Sequence, residues 1–568
     1  MSIRNIFELL IFLTLLTFFS SLFASYMDKV FKGHKTILDV FLKPIENFIY
    51  KICKINTKEQ QNWKSYFYKL LLFSFISLLF TFLVIQLQYY LPLNPEKIKA
   101  PNFFTNLNIS SSFLTNTNLQ VYKPEVTLSY FSQMVALTLQ NFLSPAVGFC
   151  TALVLIRAFK NKACETIGNF YQDLIKMLLY VLLPLSIFLS IIFVFEGVPQ
   201  NFQKYKKIQT LEHFDQTIIG GPIASQEAIK IIGSNGGGFT NANSCHPFEN
   251  PTPFSNYLQI FFIMFIPAVQ FFFYGKQIKN VKHSYSIYSS MIIYFVLTFL
   301  ININFDFEPS KIIRENKVDT YFGNFEGKET RLNIFESSLF TIATTTVSNG
   351  ATNCSLDSLN PIAGLMAMLN IELGEIVFGG IGSGLYSMIL FILLSIFLCG
   401  LIIGRTPEYL GKKIEGTDVR YIMLALMSFI LVILAFSAIS ILLPSALKGI
   451  SVKGSHGLSQ ILYVFSSAAG NNGSAFNGLD TTLPWYTITT TFAMLLGRFF
   501  IMFFIFLLAK NIAVKKKTFE KVSFPITGPI FCFVLFGTIL LIGALTFLPA
   551  IVMGPILERL NFLNGIYY

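Results

Sequence analysis

Four segments of the chain are rich in Gly, Asn, Ser and Thr, and each lies between strongly apolar runs. They read TNTNLQ (115–120), GSNGGG (233–238), TVSNGA (346–351) and AGNNGS (469–474). Backbone carbonyls and hydroxyls of this kind can replace the water shell of a monovalent cation without a fixed charge. Glycine permits the φ values that turn carbonyls toward one axis. The four segments therefore predict a cation-selectivity filter.

A short, moderately apolar stretch precedes each segment, near residues 103–114, 221–232, 334–345 and 457–468. About a dozen residues cannot cross a bilayer, which takes about 20, so each stretch suits a re-entrant helix. A helix C-terminus carries roughly half a negative charge, so four converging C-termini would favour a cation. One Gly- and Asn-rich segment alone is equally well explained as a surface turn. Four in matching places favour a repeated span–loop–span unit around one axis.

The composition indicates a membrane protein, because 53% of the residues are hydrophobic and 13% charged, against roughly a quarter charged in soluble proteins. We predict an all-α polytopic membrane protein with about ten transmembrane helices and four span–pore-loop–span repeats around a central selectivity filter. The apolar runs that predict the ten helices lie near residues 5–25, 66–91, 128–156, 172–196, 254–274, 285–303, 362–403, 420–443, 486–509 and 524–552.

The loops divide the chain into six parts and suggest its orientation. The parts are a first transmembrane helix with a cytoplasmic loop (1–65), four pore units (66–156, 172–274, 285–403 and 420–509), and a last transmembrane helix with the C-terminus (524–568). Lys and Arg concentrate in the loops that precede each unit, so the positive-inside rule turns those loops to the cytoplasm and both termini outward. The first apolar run resembles a signal peptide, but it is long and carries Glu8, so we expect it to be retained.

Several other functions fit the sequence poorly. The net charge of +12 does not indicate nucleic-acid binding, because the basic residues lie between apolar runs and form no single face. The seven cysteines are scattered, which favours neither a disulfide framework nor a zinc site. A membrane-embedded transferase would need clustered titratable groups, and His246 and Glu249 are the nearest candidates. We expect a structural role for both.

The segment GSNGGGFTNANSCHPFENPTP (233–253) is similar to the hallmark of the KdpA family, the ion-binding subunits of Kdp-type potassium-transporting ATPases. Further similar stretches follow in family order at 115–120, 140–144, 374–386, 404–411 and 466–476. The resemblance implies the fold of the potassium-transporter superfamily. By motif position, it implies these potassium-binding residues: Asn116, Thr117, Asn118, Ser234, Asn235, Gly236, Ser348, Asn349, Gly350, Asn471, Asn472 and Gly473.

The resemblance also implies an assembly in the bacterial inner membrane. The partners would be a KdpB-like P-type ATPase subunit, a KdpC-like subunit and a small KdpF-like subunit. The chain has no G-x-x-x-x-G-K-[ST] loop or D-K-T-G-like sequence, so we expect it to be no enzyme by itself. It would bind no cofactor, with potassium as substrate and with ATP and Mg²⁺ used by the partner. A stand-alone potassium channel or cation symporter of the same superfamily is the alternative.

Four positions depart from the usual family pattern. Leu119 stands in place of Trp, Ser234 in place of Thr, Asn349 where Cys is common, and Gly470 where Asn often precedes the pair. Serine keeps the hydroxyl of threonine, whereas the amide of Asn349 is a different ligand.

A gate is expected where the seventh apolar run is broken. The run 362–403 is too long for one crossing, and glycines interrupt it, so its middle should not be helical. Arg498 lies in the middle of another run, where a charge costs a few kcal/mol unless it faces a cavity or a partner. Glu372 and Glu375 are the candidate carboxylates, and a purely structural ion pair is the alternative. The predicted gate residues are Glu375, Gly379, Gly380, Gly382 and Arg498.

Overall fold

The structure is a computed structural model that describes residues 3–309, 315–317, 323–374, 376–517 and 524–565. The helices of ten or more residues are, in chain order, α1 (Ile3–Lys32), α2 (Asp39–Ile52), α3 (Trp63–Gln86), α4 (Phe103–Leu114), α5 (Ser132–Lys160), α6 (Phe170–Phe195), α7 (Ile223–Ile232), α8 (Pro253–Gln277), α9 (Val281–Asp306), α10 (Ile334–Val347), α11 (Pro361–Glu372), α12 (Ser383–Ile403), α13 (Gly416–Leu442), α14 (Ser455–Gly470), α15 (Pro484–Val514) and α16 (Pro529–Leu563).

Ten of these helices are long and apolar enough to cross a membrane, within the part of the chain that is described. The other six are α2, α11 and the four short helices that precede the Gly- and Asn-rich segments, which are named the pore helices here: α4, α7, α10 and α14. This arrangement confirms the predicted all-α fold with span–pore-loop–span repeats.

The spans form an inner and an outer set. Helices α5 and α8 are mostly buried, whereas α1, α3, α6 and α13 bury a third or less of their most apolar stretch and leave several large apolar side chains exposed. Apolar side chains on an outward face need lipid as their solvent. The core therefore lies around α5 and α8, and the outer set forms the surface that faces the bilayer.

Local sequence sets where the helices begin. The side chains of Asn102 and Asn333 accept hydrogen bonds from backbone N–H groups in the first turns of α4 and α10. Thr252 and Ser255 form a reciprocal capping box at the start of α8. Each cap satisfies N–H groups that have no partner within the helix.

Short antiparallel strand pairs tie the loops together. Strand β1 (Gln61–Asn62) pairs with β2 (Thr166–Gly168), β3 (Lys206–Gln209) with β4 (Asp215–Ile218), and β5 (Glu408–Tyr409) with β6 (Lys412–Lys413). In the β3–β4 hairpin, Lys206 lies opposite Ile218.

The seventh apolar run is broken, as predicted. It divides into α11 and α12, and the described residues between Glu372 and Ser383 form no helix. Gly374, Gly379 and Gly382 have φ of 82°, 62° and 82°, values that glycine adopts at little cost. A Cβ on Gly382 would overlap the backbone of Gly148 in α5. The break therefore lets the chain pack closely against a buried span.

Candidate ion-binding filter

All four pore helices end in the same backbone turn. In each helix, one residue at the C-terminal end has a left-handed conformation, and the next residue donates its N–H to the carbonyl five residues earlier. The left-handed residues are Asn116 (φ 66°), Ser234 (52°), Ser348 (59°) and Asn471 (61°). The hydrogen bonds run from Thr117 to Ser112 (3.0 Å), Asn235 to Lys230 (2.9 Å), Asn349 to Thr344 (3.0 Å) and Asn472 to Ser467 (2.9 Å). This is a standard helix-ending turn, and its recurrence sets the four segments in register.

The segments that carry these turns are named the filter segments here: segment 1 (116–118), segment 2 (234–236), segment 3 (348–350) and segment 4 (471–473). The last residue of three of them is a glycine with no room for a side chain. A Cβ on Gly236 would lie 2.6 Å from Gly350 Cα and 3.0 Å from Thr117 O. A Cβ on Gly350 would lie 2.6 Å from the carbonyl carbon of Gly473, and one on Gly473 would overlap Thr117 O. Contacts therefore run from segment 1 through 2, 3 and 4 and back to 1, which closes a ring.

Side chains of the left-handed residues link neighbouring segments. Asn116 Nδ2 donates to Ser234 O at 2.8 Å, Ser348 Oγ donates to Asn471 O at 3.1 Å, and Asn471 Nδ2 donates to Thr117 Oγ1 at 3.0 Å. The side-chain oxygen of Asn116, Oδ1, accepts a hydrogen bond from Ser144 Oγ on α5 at 2.7 Å. These side chains therefore hold neighbouring segments together, and they also contribute oxygens to the ring.

The amides at the second and third positions also fix the turns. Asn235 Nδ2 donates to Asn141 O at 3.0 Å, and Asn118 Nδ2 donates to Asn141 Oδ1 at 2.7 Å. In segments 3 and 4, Asn349 Oδ1 accepts from Ala351 N–H at 2.8 Å and Asn472 Oδ1 accepts from Ser474 N–H at 3.0 Å. The amides of Asn118 and Asn235 thus anchor segments 1 and 2 to α5, and those of Asn349 and Asn472 hold the backbone just after segments 3 and 4.

Some oxygens at the ring have no partner. Within the described ranges, Asn118 Oδ1, Ser234 Oγ and Asn235 Oδ1 are buried and accept or donate no hydrogen bond. An unpaired polar atom in the interior costs about 1–3 kcal/mol. A dehydrated cation needs neutral oxygens of this kind, so the ring is chemically suited to bind one.

Segment 2 is held by a buried ionic cluster, called the Lys230 cluster here. Lys230 is completely buried, and its ammonium lies 2.6 Å from Glu227 Oε2, 3.0 Å from Glu249 Oε2 and 2.7 Å from Asn243 Oδ1. Asn243 Nδ2 in turn donates to Gly236 O at 2.5 Å. Glu249 also accepts from the N–H and hydroxyl of Thr240, both at 2.7 Å. The cluster therefore connects the pore helix to the far end of the filter segment.

Sequence analysis did not identify Lys230 and Glu227. Both stand in a stretch that is otherwise mostly apolar, three residues apart, a spacing that brings two side chains together on one helix face. This spacing could have indicated the ion pair from the sequence. The link from Lys230 to Asn243 and Glu249 depends on the fold of the loop that follows, which the sequence did not reveal.

The predicted gate residues meet beside filter segment 3. Gly379 N–H donates to Thr346 O at 3.0 Å, and a Cβ on Gly380 would lie 3.3 Å from Ser348 Cβ. Gly382 N–H donates to Gln270 Oε1 at 2.8 Å. The broken part of the seventh run thus packs directly against the end of α10, the third pore helix.

Arg498 reaches the same place from α15. It is 5% exposed, and its Nη2 donates to Ser144 O at 2.9 Å. A Cβ on Gly148 would lie 2.8 Å from Arg498 Nη2 and 2.5 Å from Ile381 O. Arg498 and the broken segment therefore meet on either side of Gly148. The structure brings together four of the five predicted gate residues, and Glu375 lies outside the described residues.

A cavity extends from this point beside the end of α14. Its lining includes Glu372, Gly374, Tyr386, Asn471 and Arg498. Glu372 is buried, its Oε1 accepts from Ser466 Oγ at 3.4 Å, and its Oε2 has no partner among the described residues. In the described ranges, no carboxylate lies within ion-pair distance of Arg498. A buried cation and a buried carboxyl group thus face one cavity beside the filter.

Within the described ranges, ten spans, four short helices between them and a closed ring of four turns define a membrane protein of the pore-loop class. The structure of the potassium transporter TrkH from Vibrio parahaemolyticus is similar, with a TM-score of 0.50, 14% identity, and coverage of 88% of this chain and 97% of that chain. At this identity, the similarity concerns the fold alone.

Sequence comparison gives the family. A family model described as "KdpA: Potassium-transporting ATPase A subunit" matches residues 10–560. A protein of Solibacter usitatus is 43% identical over 566 residues, covering 100% of this chain and 99% of its own length. A protein of Francisella philomiragia is 41% identical over 566 residues, covering 98% and 99%. Both are named potassium-transporting ATPase potassium-binding subunit. The chain belongs to the KdpA family.

Proposed function

We propose that this chain binds extracytoplasmic potassium at the ring of filter segments and passes it on for ATP-driven import, as the ion-binding subunit of a Kdp-type complex. The observation that carries the proposal is the closed ring of four equivalent helix-ending turns. Such a ring offers carbonyl, amide and hydroxyl oxygens with no fixed charge, which suits a monovalent cation that has lost its water. The names of the relatives support potassium as that cation.

The proposed ligands come from all four segments. All four departures from the usual family pattern fall at or next to the ring. Ser234 retains a hydroxyl, which is free of hydrogen bonds in the described ranges, Asn349 bonds its own loop, and Gly470 O accepts from Ser348 at 3.3 Å. Leu119 is buried and belongs to the hydrophobic core beside α4. We therefore expect potassium binding to persist in this member, with Asn349 as the position most able to alter its affinity.

The proposal assigns hydrolysis to a partner. A KdpB-like P-type ATPase subunit would use ATP and Mg²⁺, and KdpC-like and KdpF-like subunits would complete the complex. The location would be the bacterial inner membrane, with the lysine-rich loops in the cytoplasm and both termini outside. A stand-alone channel or symporter is the alternative, and co-purification of an ATPase subunit with the tagged chain separates the two.

Gly236→Asp tests the ring. The new side chain would collide with Gly350 and Thr117 O and would place a charge among neutral ligands. We expect the potassium concentration for half-maximal uptake to rise at least about tenfold, which corresponds to about 1.4 kcal/mol. Gly416→Asp is the matched control, because a Cβ at Gly416 contacts nothing. Normal potassium-limited growth and uptake in Gly236→Asp would overturn the assignment.

The gate is the second part of the proposal. An arginine beside the filter repels a cation and discourages leakage through the subunit, which suits a pump component. We expect Arg498→Ala or Glu375→Ala to assemble but to change transport or its coupling to ATP hydrolysis. Arg420→Ala, which removes an exposed arginine from α13, is the control. Wild-type transport and coupling in both gate variants would rule the gate out in favour of a structural pairing.

A further inference from the structure

Helix α2 (Asp39–Ile52) has an apolar face that no described residue of the chain covers. Glu46 is the only buried residue of this helix. The exposed apolar side chains recur every three or four residues, which places them on one side of the helix. They are Ile37, just before the helix, and Val40, Phe41, Ile45, Phe48 and Ile52, with exposures between 46% and 90%. A continuous apolar face of this size on a protein surface marks a binding surface or a membrane contact.

A cavity of about 620 Å³ lies beside this helix, between it, the end of α1 and the start of α6. The polar side chains around it include Lys35, Thr36, Lys43, Asn47 and Lys176. Ammonium, hydroxyl and amide groups together are the usual ligands of a phosphate group.

The two carboxylates at the cavity are already engaged. Asp39 accepts from Thr36 N–H at 2.5 Å. Glu46 accepts from Lys43 at 2.7 Å and from the hydroxyls of Tyr50 and Tyr180, both at 2.8 Å.

Two cations remain for a ligand. In the described ranges, Lys35 and Lys176 have no carboxylate within ion-pair distance. The surrounding sequence is also basic, because Lys35, Lys43, Lys51, Lys54 and Lys58 accompany only two carboxylates between residues 35 and 58. The cavity therefore offers positive charge directly beside an apolar surface.

We propose that α2 lies in the membrane interface and that this cavity binds the headgroup of an anionic phospholipid. The two spans that border the cavity, α1 and α6, also expose apolar side chains, such as Phe18 and Phe188, which are 62% and 56% exposed. A helix with one apolar and one basic side lies in the plane of the interface, and anionic lipids concentrate there by about 1 kcal/mol per lysine. A soluble phosphate would satisfy the lysines but would leave the apolar face in water.

Lipid retention tests the headgroup site. The full-length protein, purified in mild detergent, is titrated with phosphatidylglycerol or phosphatidylcholine and examined by native mass spectrometry. We expect Lys35→Glu/Lys176→Glu to reduce bound phosphatidylglycerol at least fivefold and to leave phosphatidylcholine unchanged. Lys206→Glu/Lys207→Glu makes the same change of charge on the exposed β3 strand and should retain the lipid. Equal retention by the two double variants would overturn the site, and Lys35→Gln/Lys176→Gln repeats the test if the first variant is unstable.

Photocrosslinking tests what covers the apolar face. A benzoylphenylalanine placed at Phe48 in cells that contain the whole complex should form a phospholipid adduct, as should the same group at Phe188 on the outer face of α6. A protein adduct at Phe48 would assign the face to a partner subunit and overturn the proposal. A lipid adduct at Phe188 without one at Phe48 would also overturn it.

Discussion

Filter segments 1 and 2 have the same backbone turn, but the helices that precede them are fixed by different side-chain interactions, one neutral and one ionic. Helix α4, which precedes segment 1, is fixed by a neutral amide: Asn108 Nδ2 donates to Thr487 O at 2.9 Å and to Thr491 Oγ1 at 2.9 Å on α15. Helix α7, which precedes segment 2, is fixed by a buried ammonium between two carboxylates. The fourfold repetition is therefore a property of the backbone, and each unit has its own side-chain chemistry behind it.

The difference has an energetic consequence. Removing one partner from a buried charged group costs more than removing a neutral hydrogen bond, because an unpaired charge remains in the interior. Segment 2 should therefore be the more sensitive of the two segments to a single substitution in its support.

The largest effect should follow Lys230→Met, which leaves Glu227 and Glu249 buried without their cation. We expect a loss of about 3–5 kcal/mol in the free energy of unfolding, measured by thermal or denaturant unfolding of the purified protein in detergent. Lys230→Met/Glu227→Gln should recover part of this loss, because only one carboxyl group is then left without the ammonium. A Lys230→Met variant as stable as the wild type would contradict the importance of the buried charges at segment 2.

A smaller effect is expected for Asn108→Ala, the neutral counterpart. The substitution removes one donor group and leaves the acceptors on α15 partly unpaired, for which we expect a loss of about 1–3 kcal/mol in the same unfolding assay. The comparison between the segments fails if Asn108→Ala destabilises the protein as much as Lys230→Met does.

Asn243→Ala tests whether the Lys230 cluster positions the filter, separately from its effect on the stability of the protein. It removes the hydrogen bond to Gly236 O but leaves Lys230 its two carboxylates. We expect potassium affinity to weaken about threefold to tenfold, or roughly 1 kcal/mol, with a smaller loss of unfolding stability than in Lys230→Met. Wild-type affinity in Asn243→Ala would show that the cluster does not position the filter.

The smallest effect concerns pH and extends the comparison to segment 4. His456 lies in the first turn of α14, 3.3 Å from Asp357 and 3.3 Å from Glu558. Burial alone would lower its pKa, but hydrogen bonds to these two carboxylates raise the pKa of His456 to about 9. A raised histidine pKa stabilises the fold fully below about 6.5, and this contribution is lost as the pH rises through 9.

The melting temperature should accordingly fall by a few degrees between pH 6.5 and 9.5. His456→Gln should remove this slope, whereas His213→Gln on the exposed β3–β4 connection should keep it. A slope that survives in His456→Gln would place the titrating group elsewhere.

The pore helices were predictable from the sequence because their boundaries depend on local pattern. The predicted stretch 103–114 matches α4, and 334–345 falls two residues short of the end of α10. The break in the seventh run was equally local, since glycines interrupt it. The ring and the contact of Arg498 with Ser144 join residues that are far apart in the chain. Such contacts leave no trace in hydropathy or spacing.

Helix α2 was missed for a different reason. Its residues fell within the cytoplasmic loop of the first predicted part (1–65), because a helix of 14 residues is too short to register as a span. The apolar positions at intervals of three and four residues were present in the sequence, and a search for helical periodicity within the loops would have found them.

In the closed ring of filter segments, each segment contacts both of its neighbours. The glycine backbones contact the next segment closely. Hydrogen bonds from the side chains of Asn116, Ser348 and Asn471 join segment 1 to 2, 3 to 4 and 4 to 1. Segments 2 and 4 therefore block an inward displacement of segment 3, and an outward displacement would stretch its hydrogen bond to segment 4. An ion at the proposed site would therefore meet an opening whose size depends on the position of all four segments.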